Sequence, residues 1–156
     1  MSQLLDAVAG VLNACEPVPG LVTGGQPEVE HLVALKRAGC ELVVDTRDPM
    51  EPQPFDAPEA VRAAGLKYLN IPLSHTPSDD RPLEDLRRFV SAVARDKPAF
   101  VYCNSGNRVG AALIPSFMLD RGFDEETAVN AALRIGTRHS ELLEWALAYV
   151  RRQRGV

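Results

Sequence analysis

The run Ala99-Phe100-Val101-Tyr102-Cys103-Asn104-Ser105-Gly106-Asn107-Arg108 constrains this chain more than any other segment. Its first four residues are all apolar or aromatic, as in a strand buried on both faces. A glycine-bearing turn follows, and Val109 to Leu119 then reads as a helix. Strand, tight turn and helix in that order imply a layered α/β fold. The turn N–H groups and the helix N-terminus would point at one spot, where positive potential favours a thiolate and a bound oxyanion. Such surroundings lower a cysteine's pKa and make it nucleophilic near neutral pH. Arg108 would add a planar, bidentate clamp for phosphate or sulfate oxygens. A core cysteine that merely ends a strand is the plain alternative, but it explains neither the glycine turn nor the arginine.

The rest of the chain alternates strand and helix, then turns to helices only. Gln3–Ala14 reads as an amphipathic helix, Leu21–Thr23 as a strand, and Pro27–Ala38 as a helix opened by proline and stopped by Gly39. Glu41–Thr46 is a central strand, Ala57–Ala64 a short helix and Lys67–Leu73 a further strand. Pro82 opens a helix with Leu83, Leu86, Phe89, Val90 and Val93 on one face. After Tyr102 come helices over Val109–Asp120, Glu125–Ile135 and Ser140–Arg152, the first kinked by Pro115. Asp48–Phe55, with three prolines, and Ser74–Arg81 are loops. No repeat or linker interrupts the order. One domain over residues 1–156 is expected, with an N-terminal helix at 1–14 and a core at 20–150.

A net charge of −4 gives no basic field for nucleic acid or an acidic membrane. Arg151, Arg152 and Arg154 close a helix, where cations suit the dipole. The three cysteines, Cys15, Cys40 and Cys103, are too few and too far apart for a disulfide scaffold and fit a reducing compartment. No Cys/His spacing suggests a metal, so none is expected and no cofactor is implied. The first helix is too short to span a bilayer. A cytoplasmic enzyme of unassigned oligomeric state is the expectation.

Ligands of parallel sheets bind at the carboxyl ends of strands. Three segments fall there: Asp45-Thr46-Arg47, Ser74-His75-Thr76 and the Cys103 turn. Arg47 and His75 are therefore candidates on the substrate side, although Asp45 and Arg47 would also serve as a structural ion pair. His139 reads as a capping or packing residue, and His31 as a solvent-facing one.

Gly24-Gly25-Gln26-Pro27, Leu35-Lys36-Arg37-Ala38-Gly39, Val43-Val44-Asp45-Thr46-Arg47 and Ala63–Leu73 together resemble the bacterial phosphatase-like family. That family includes the phosphatase-like domain attached to beta-lactamase hydrolase-like proteins and is a branch of the dual-specificity and tyrosine phosphatase fold. The resemblance runs from about Gly20 to Tyr149. It implies a single-domain phosphatase-like α/β fold, a central, mostly parallel sheet flanked by helices, with Cys103 at the base of a shallow pocket. Cys103 matches the nucleophile that forms a cysteinyl-phosphate, and Arg108 the arginine that holds the equatorial oxygens. Asn104, Ser105, Gly106 and Asn107 match the loop whose N–H groups bind the phosphate, with Gly106 providing backbone freedom. The family's acid is an aspartate on the loop after the preceding strand, which here offers Asp79 and Asp80, the same residues that would cap the helix at Pro82, with His75 nearer the strand end as the next candidate.

The turn departs from the phosphatase pattern. Cysteine phosphatases place one residue more between cysteine and arginine, with histidine before the cysteine and a hydroxyl after the arginine. This chain has Tyr102 and Val109 there. The shorter loop resembles that of rhodanese-type sulfurtransferases, in which the cysteine carries a persulfide sulfur. Gly122-Phe123-Asp124-Glu125-Glu126, however, opens a helix as phosphatase-fold proteins do, not a further strand. The expected function is thus cysteine-dependent hydrolysis of a phosphomonoester on a small molecule or a phosphoprotein. Sulfur transfer through a Cys103 persulfide, and phosphate binding without turnover, stay open.

Overall fold

A central strand apolar on both faces organises the molecule, whose computed structural model describes residues 2–155. The sheet has strands β1 (Cys15–Val18), β2 (Leu21–Gly24), β3 (Leu42–Asp45), β4 (Lys67–Asn70) and β5 (Ala99–Tyr102), in the order β1-β2-β5-β3-β4. β5 pairs in parallel with β2 and β3, and β4 runs parallel to β3. Only β1 is antiparallel, on the edge. Every residue of β5 is buried, which explains its unbroken apolar run. Phe100 and Tyr102 stack at 5.5 Å in a core cluster with Leu4, Val8, Leu32, Leu35 and Val61. Ala99, Val101 and Cys103 fall in the opposite cluster with Leu83, Leu86, Val109, Ile114, Phe117 and Tyr149.

Helices α1 (Gln3–Ala7), α2 (Val29–Arg37) and α3 (Ala57–Ala63) supply the first cluster. Helices α4 (Arg81–Val90), α5 (Asn107–Ala112), α6 (Glu125–Ile135) and α7 (Ser140–Gln153) supply the second. Their starts carry local signals. Asp56 accepts from Glu59 N at 3.1 Å, and Asp124 from Thr127 N at 2.8 Å. At α2 the His31 ring accepts from Glu28 N at 2.9 Å and bonds the Ala9 carbonyl at 3.0 Å, so it ties the N-terminal turns to α2. It does not simply face solvent.

The expected α/β architecture, a mostly parallel sheet flanked by helices, is the one observed, and most elements lie within a residue or two of their sequence positions. Four differ, among them β4, which ends at Asn70, three residues short of Leu73. The first helix stops at Ala7, because Gly10 (φ +93°) and Asn13 (φ +58°) turn the chain back. The segment after it, expected to break at its prolines, forms β1. Pro17 is tolerated there because an edge strand has one face without a ladder partner. The helix expected from Val109 starts two residues earlier, at Asn107. It is interrupted at Leu113, before Pro115, and resumes as a π turn over Ser116–Asp120, since proline lacks the N–H that would continue the ladder.

No helix among the described residues is long and apolar enough to cross a membrane. Phe100 is wholly buried between β2 and β3. Phe100→Ala is expected to cost about 3–5 kcal/mol in urea unfolding at unchanged slope. A cost below about 1 kcal/mol would contradict this packing.

Candidate active site

β5 ends at Tyr102, and Cys103 begins the turn with no exposed surface. Gly106 then takes φ +91°, a left-handed conformation that a side chain disfavours. A Cβ there would lie 2.4 Å from the Ile135 carbonyl oxygen, so the turn is pressed against the end of α6. With this fold-back the Gly106 N–H donates to Cys103 Sγ at 3.1 Å. The N–H groups of Asn104, Ser105, Asn107 and Arg108 donate to no protein acceptor among the described residues.

Segments distant in sequence clamp the turn from outside. Asn13 Nδ2 donates to the Ser105 carbonyl at 2.8 Å, and Gln26 N donates to the Asn104 carbonyl at 3.0 Å. The Thr137 hydroxyl donates to the Asn107 carbonyl at 2.7 Å, and Arg138 N donates to Asn107 Oδ1 at 2.8 Å. Asn107 Nδ2 faces His139 Nδ1 at 2.6 Å. The Asn107 side chain is thus spent on α6–α7, and this residue offers a ligand its backbone alone.

Arg108 is almost wholly buried. Its Nη1 donates to Glu51 Oε2 at 2.7 Å and to the Leu73 carbonyl at 3.1 Å, and its Nη2 donates to Glu51 Oε1 at 3.1 Å. Arg108 Nε is buried and has no partner among the described residues. Burial works against the guanidinium's charge, but the Glu51 bonds and Cys103 outweigh it and hold its pKa above the ordinary value. Glu51 is correspondingly driven down to about 2, first by its bond to Arg108 and against a partial burial that would raise it.

Glu51 also accepts from Asp48 N at 2.7 Å and from Arg47 Nε at 3.4 Å. Arg47 donates its other nitrogens to Gln26 Oε1 and, at 2.7 Å, to the Pro52 carbonyl. Its guanidinium therefore braces the proline-rich loop and is not free for substrate. Asp45 does not pair with that guanidinium. It accepts from Arg47 N at 2.9 Å and from the Tyr68 hydroxyl at 2.8 Å. Burial, then Asp45, raises the Tyr68 pKa and keeps that hydroxyl protonated.

The remaining candidates separate. Asp79 accepts from Arg81 N at 2.9 Å, and Asp80 pairs with Arg152 of α7. Neither bonds Cys103, Arg108 or the turn among the described residues. His75 instead sits beside the cradle, with its ring 6.1 Å from that of His139 in an edge-to-face arrangement. Sequence reasoning missed Glu51, which lay unmarked in a proline-rich loop, and placed His139 as a cap without linking it to Asn107. The spacing of Arg47 and Glu51 by four residues was the one available signal.

A mostly parallel sheet thus delivers a cysteine into a turn with four N–H groups that have no protein acceptor among the described residues, backed by a buried arginine. Residues 28–131 match the Rhodanese-like domain, and the chain belongs to that family. No curated protein sequence matches it. Among solved structures, it is similar to a DUF442 protein of Shewanella putrefaciens described as a phosphatase, with TM-score 0.80 and 16% identity over 96% of this chain and 97% of that one. It is similar to Tk-PTP in its active form, with TM-score 0.76 and 19% identity over 90% and 97% of the two chains. It also resembles Pseudomonas aeruginosa TpbA in complex with pTyr, with TM-score 0.68 and 21% identity over 90% and 83%. At these identities the likeness is one of fold.

Glu51 stabilises the folded state fully above its ordinary value of 4.5, and this contribution is lost as pH falls toward about 2. Glu51→Gln is therefore expected to lower stability at neutral pH and to show a shallower decline across that window. Urea midpoints measured against pH check this; parallel curves for parent and variant would refute it. Gly106→Ala should cost at least about 2 kcal/mol, from the left-handed backbone and the clash with Ile135, read in the same assay.

Proposed function

We propose that the protein is a cysteine-dependent phosphatase that hydrolyses a phosphomonoester through a cysteinyl-phosphate on Cys103. The observation that carries this reading is Arg108 Nε, a buried donor without a partner beside the thiol, next to four backbone N–H groups equally without one. A buried, unmatched donor such as Arg108 Nε costs about 1–3 kcal/mol. A tetrahedral oxyanion seated on Cys103 would satisfy several together, and most strongly as charge spreads onto its equatorial oxygens. Glu51 fixes the guanidinium plane through the two Nη atoms, which leaves Nε directed toward the ligand.

In this reading the Cys103 thiolate attacks phosphorus in line with the leaving oxygen. The S–P bond forms as the P–O bond breaks. Water then attacks the cysteinyl-phosphate, the S–P bond breaks, and inorganic phosphate departs with the thiolate restored. Arg108 and the turn N–H groups hold the non-bridging oxygens through both steps. Structural neighbours described as phosphatases support this chemistry, and the helix α6 that follows the turn's own helix agrees with them. Phosphotyrosine bound to the Pseudomonas aeruginosa neighbour favours aryl phosphates as the substrates to test first.

A second reading has one specific observation behind it. Only four residues separate Cys103 from Arg108, and the family match is to rhodanese-like domains. The same donors would stabilise a Cys103 persulfide. Assays of aryl phosphate hydrolysis and of thiosulfate-to-cyanide sulfur transfer separate the two. We expect phosphate release from the parent protein and none from Cys103→Ser. Sulfur transfer without phosphate release, with a persulfide on Cys103 by mass spectrometry, would replace the phosphatase reading.

A further inference from the structure

Leaving-group departure requires a proton donor on the side of phosphorus opposite the attacking sulfur. Most polar groups around the cradle are already committed. Glu51 is held ionised by Arg108, Arg47 and the Asp48 N–H, so it carries no proton to give. Arg108 is locked to Glu51 and Leu73. The carboxylates of Asp79 and Asp80 are bound at the start of α4 and to Arg152. Two histidines remain. Leu73 O lies against Arg108 Nη1, which brings His75, two residues further on, to the arginine side of the turn. Asn107 brings His139 to the other side, and the two rings meet at 6.1 Å.

The hydrogen bonds settle which ring holds which proton. Asn107 Oδ1 is taken by the Arg138 N–H, so its Nδ2 must donate to His139 Nδ1. That bond requires a bare Nδ1 and leaves the His139 proton on Nε2. His75 makes no hydrogen bond among the described residues, and its ring nitrogens are uncommitted. We propose that His75 is the general acid–base of the Cys103 reaction and that His139, anchored on Asn107, is the residue that positions it. This assignment rests on the phosphatase reading. In the first step the His75 imidazolium gives its proton to the leaving oxygen as the P–O bond breaks and the S–P bond forms. In the second, neutral His75 takes a proton from the attacking water as the S–P bond breaks, which restores both groups.

The charged and titratable groups facing His75 are Arg108, Glu51 and His139. Burial first, then Arg108, pushes its pKa below the ordinary 6.5, while Glu51 pulls it up. Acid-catalysed turnover should therefore fall as pH rises through a value under 6.5.

The test compares phenyl phosphate, a poor leaving group, with 4-nitrophenyl phosphate, a good one, on the full chain over roughly pH 5 to 8. His75→Gln is expected to lose about 100-fold in kcat on phenyl phosphate and under about tenfold on 4-nitrophenyl phosphate, with the fall at higher pH abolished. His139→Phe keeps a ring beside His75 but loses the Asn107 bond that anchors it. It is expected to lower kcat on phenyl phosphate more than on 4-nitrophenyl phosphate at unchanged KM, which a merely structural role would not do. Equal losses on both substrates in His75→Gln would overturn the assignment, and inactivity of Cys103→Ser would then show that the phosphatase reading survives. A steep leaving-group dependence in Asp79→Asn or Asp80→Asn would overturn it in favour of a carboxylic acid. Absence of phosphate release from the parent protein would refute both the assignment and the reading it rests on.

Discussion

The two-pronged bond between Glu51 and Arg108 holds the site together. Arg108 opens α5 beneath the sheet's central strand and is almost wholly buried. A guanidinium there is tolerable only with a matched carboxylate, because removing one partner of a buried pair leaves the other's desolvation uncompensated. Glu51 comes from a loop without secondary structure, and a chain of bonds delivers it. The Tyr68 hydroxyl and Arg47 N–H hold Asp45, and Arg47 spans Gln26, Pro52 and Glu51. Strands β3 and β4 thereby reach the reactive turn through their carboxyl ends. The segment read as a proline-bearing loop is a strut.

Rigidity of the turn has a second source. Its carbonyls and side chains are satisfied by the turns after α1, before α2 and between α6 and α7. Apart from Gly106, whose N–H donates to Cys103 Sγ, the N–H groups from Asn104 to Arg108 have no protein acceptor among the described residues. The donors are therefore oriented before any anion arrives, so little reorganisation is left for the moment of reaction. The short α1 and the positive φ of Asn13 belong to this arrangement, since a helix running on to Ala14 would not bring the Asn13 amide to Ser105.

Much of the fold was legible because it rests on local rules. The all-apolar β5, the glycine after α2 and the kink at Pro115 each act within a few residues. So does the turn itself, whose thiol, glycine and arginine are contiguous. β1 was missed because edge strands tolerate proline, and propensity cannot say which strand is the edge. The carboxylates were harder. Asp79 and Asp80 have the right chemistry on the right loop, but Asp79 accepts from the backbone of Arg81 two residues on, and Asp80 pairs with Arg152, 72 residues away in sequence.

The sequence by itself determined the α/β class, the central strand and the identity of the reactive turn, because period, capping and contiguity are properties of neighbouring residues. Only the tertiary structure decided which acidic residue holds Arg108, which side chains of the turn are spent on its own support, and which histidines border it. Those pairings join residues 51 and 108, 13 and 105, and 75 and 139. Separations of that length leave no periodic trace, because burial, charge and hydrogen bonding select the partners only after the sheet has brought the loops together.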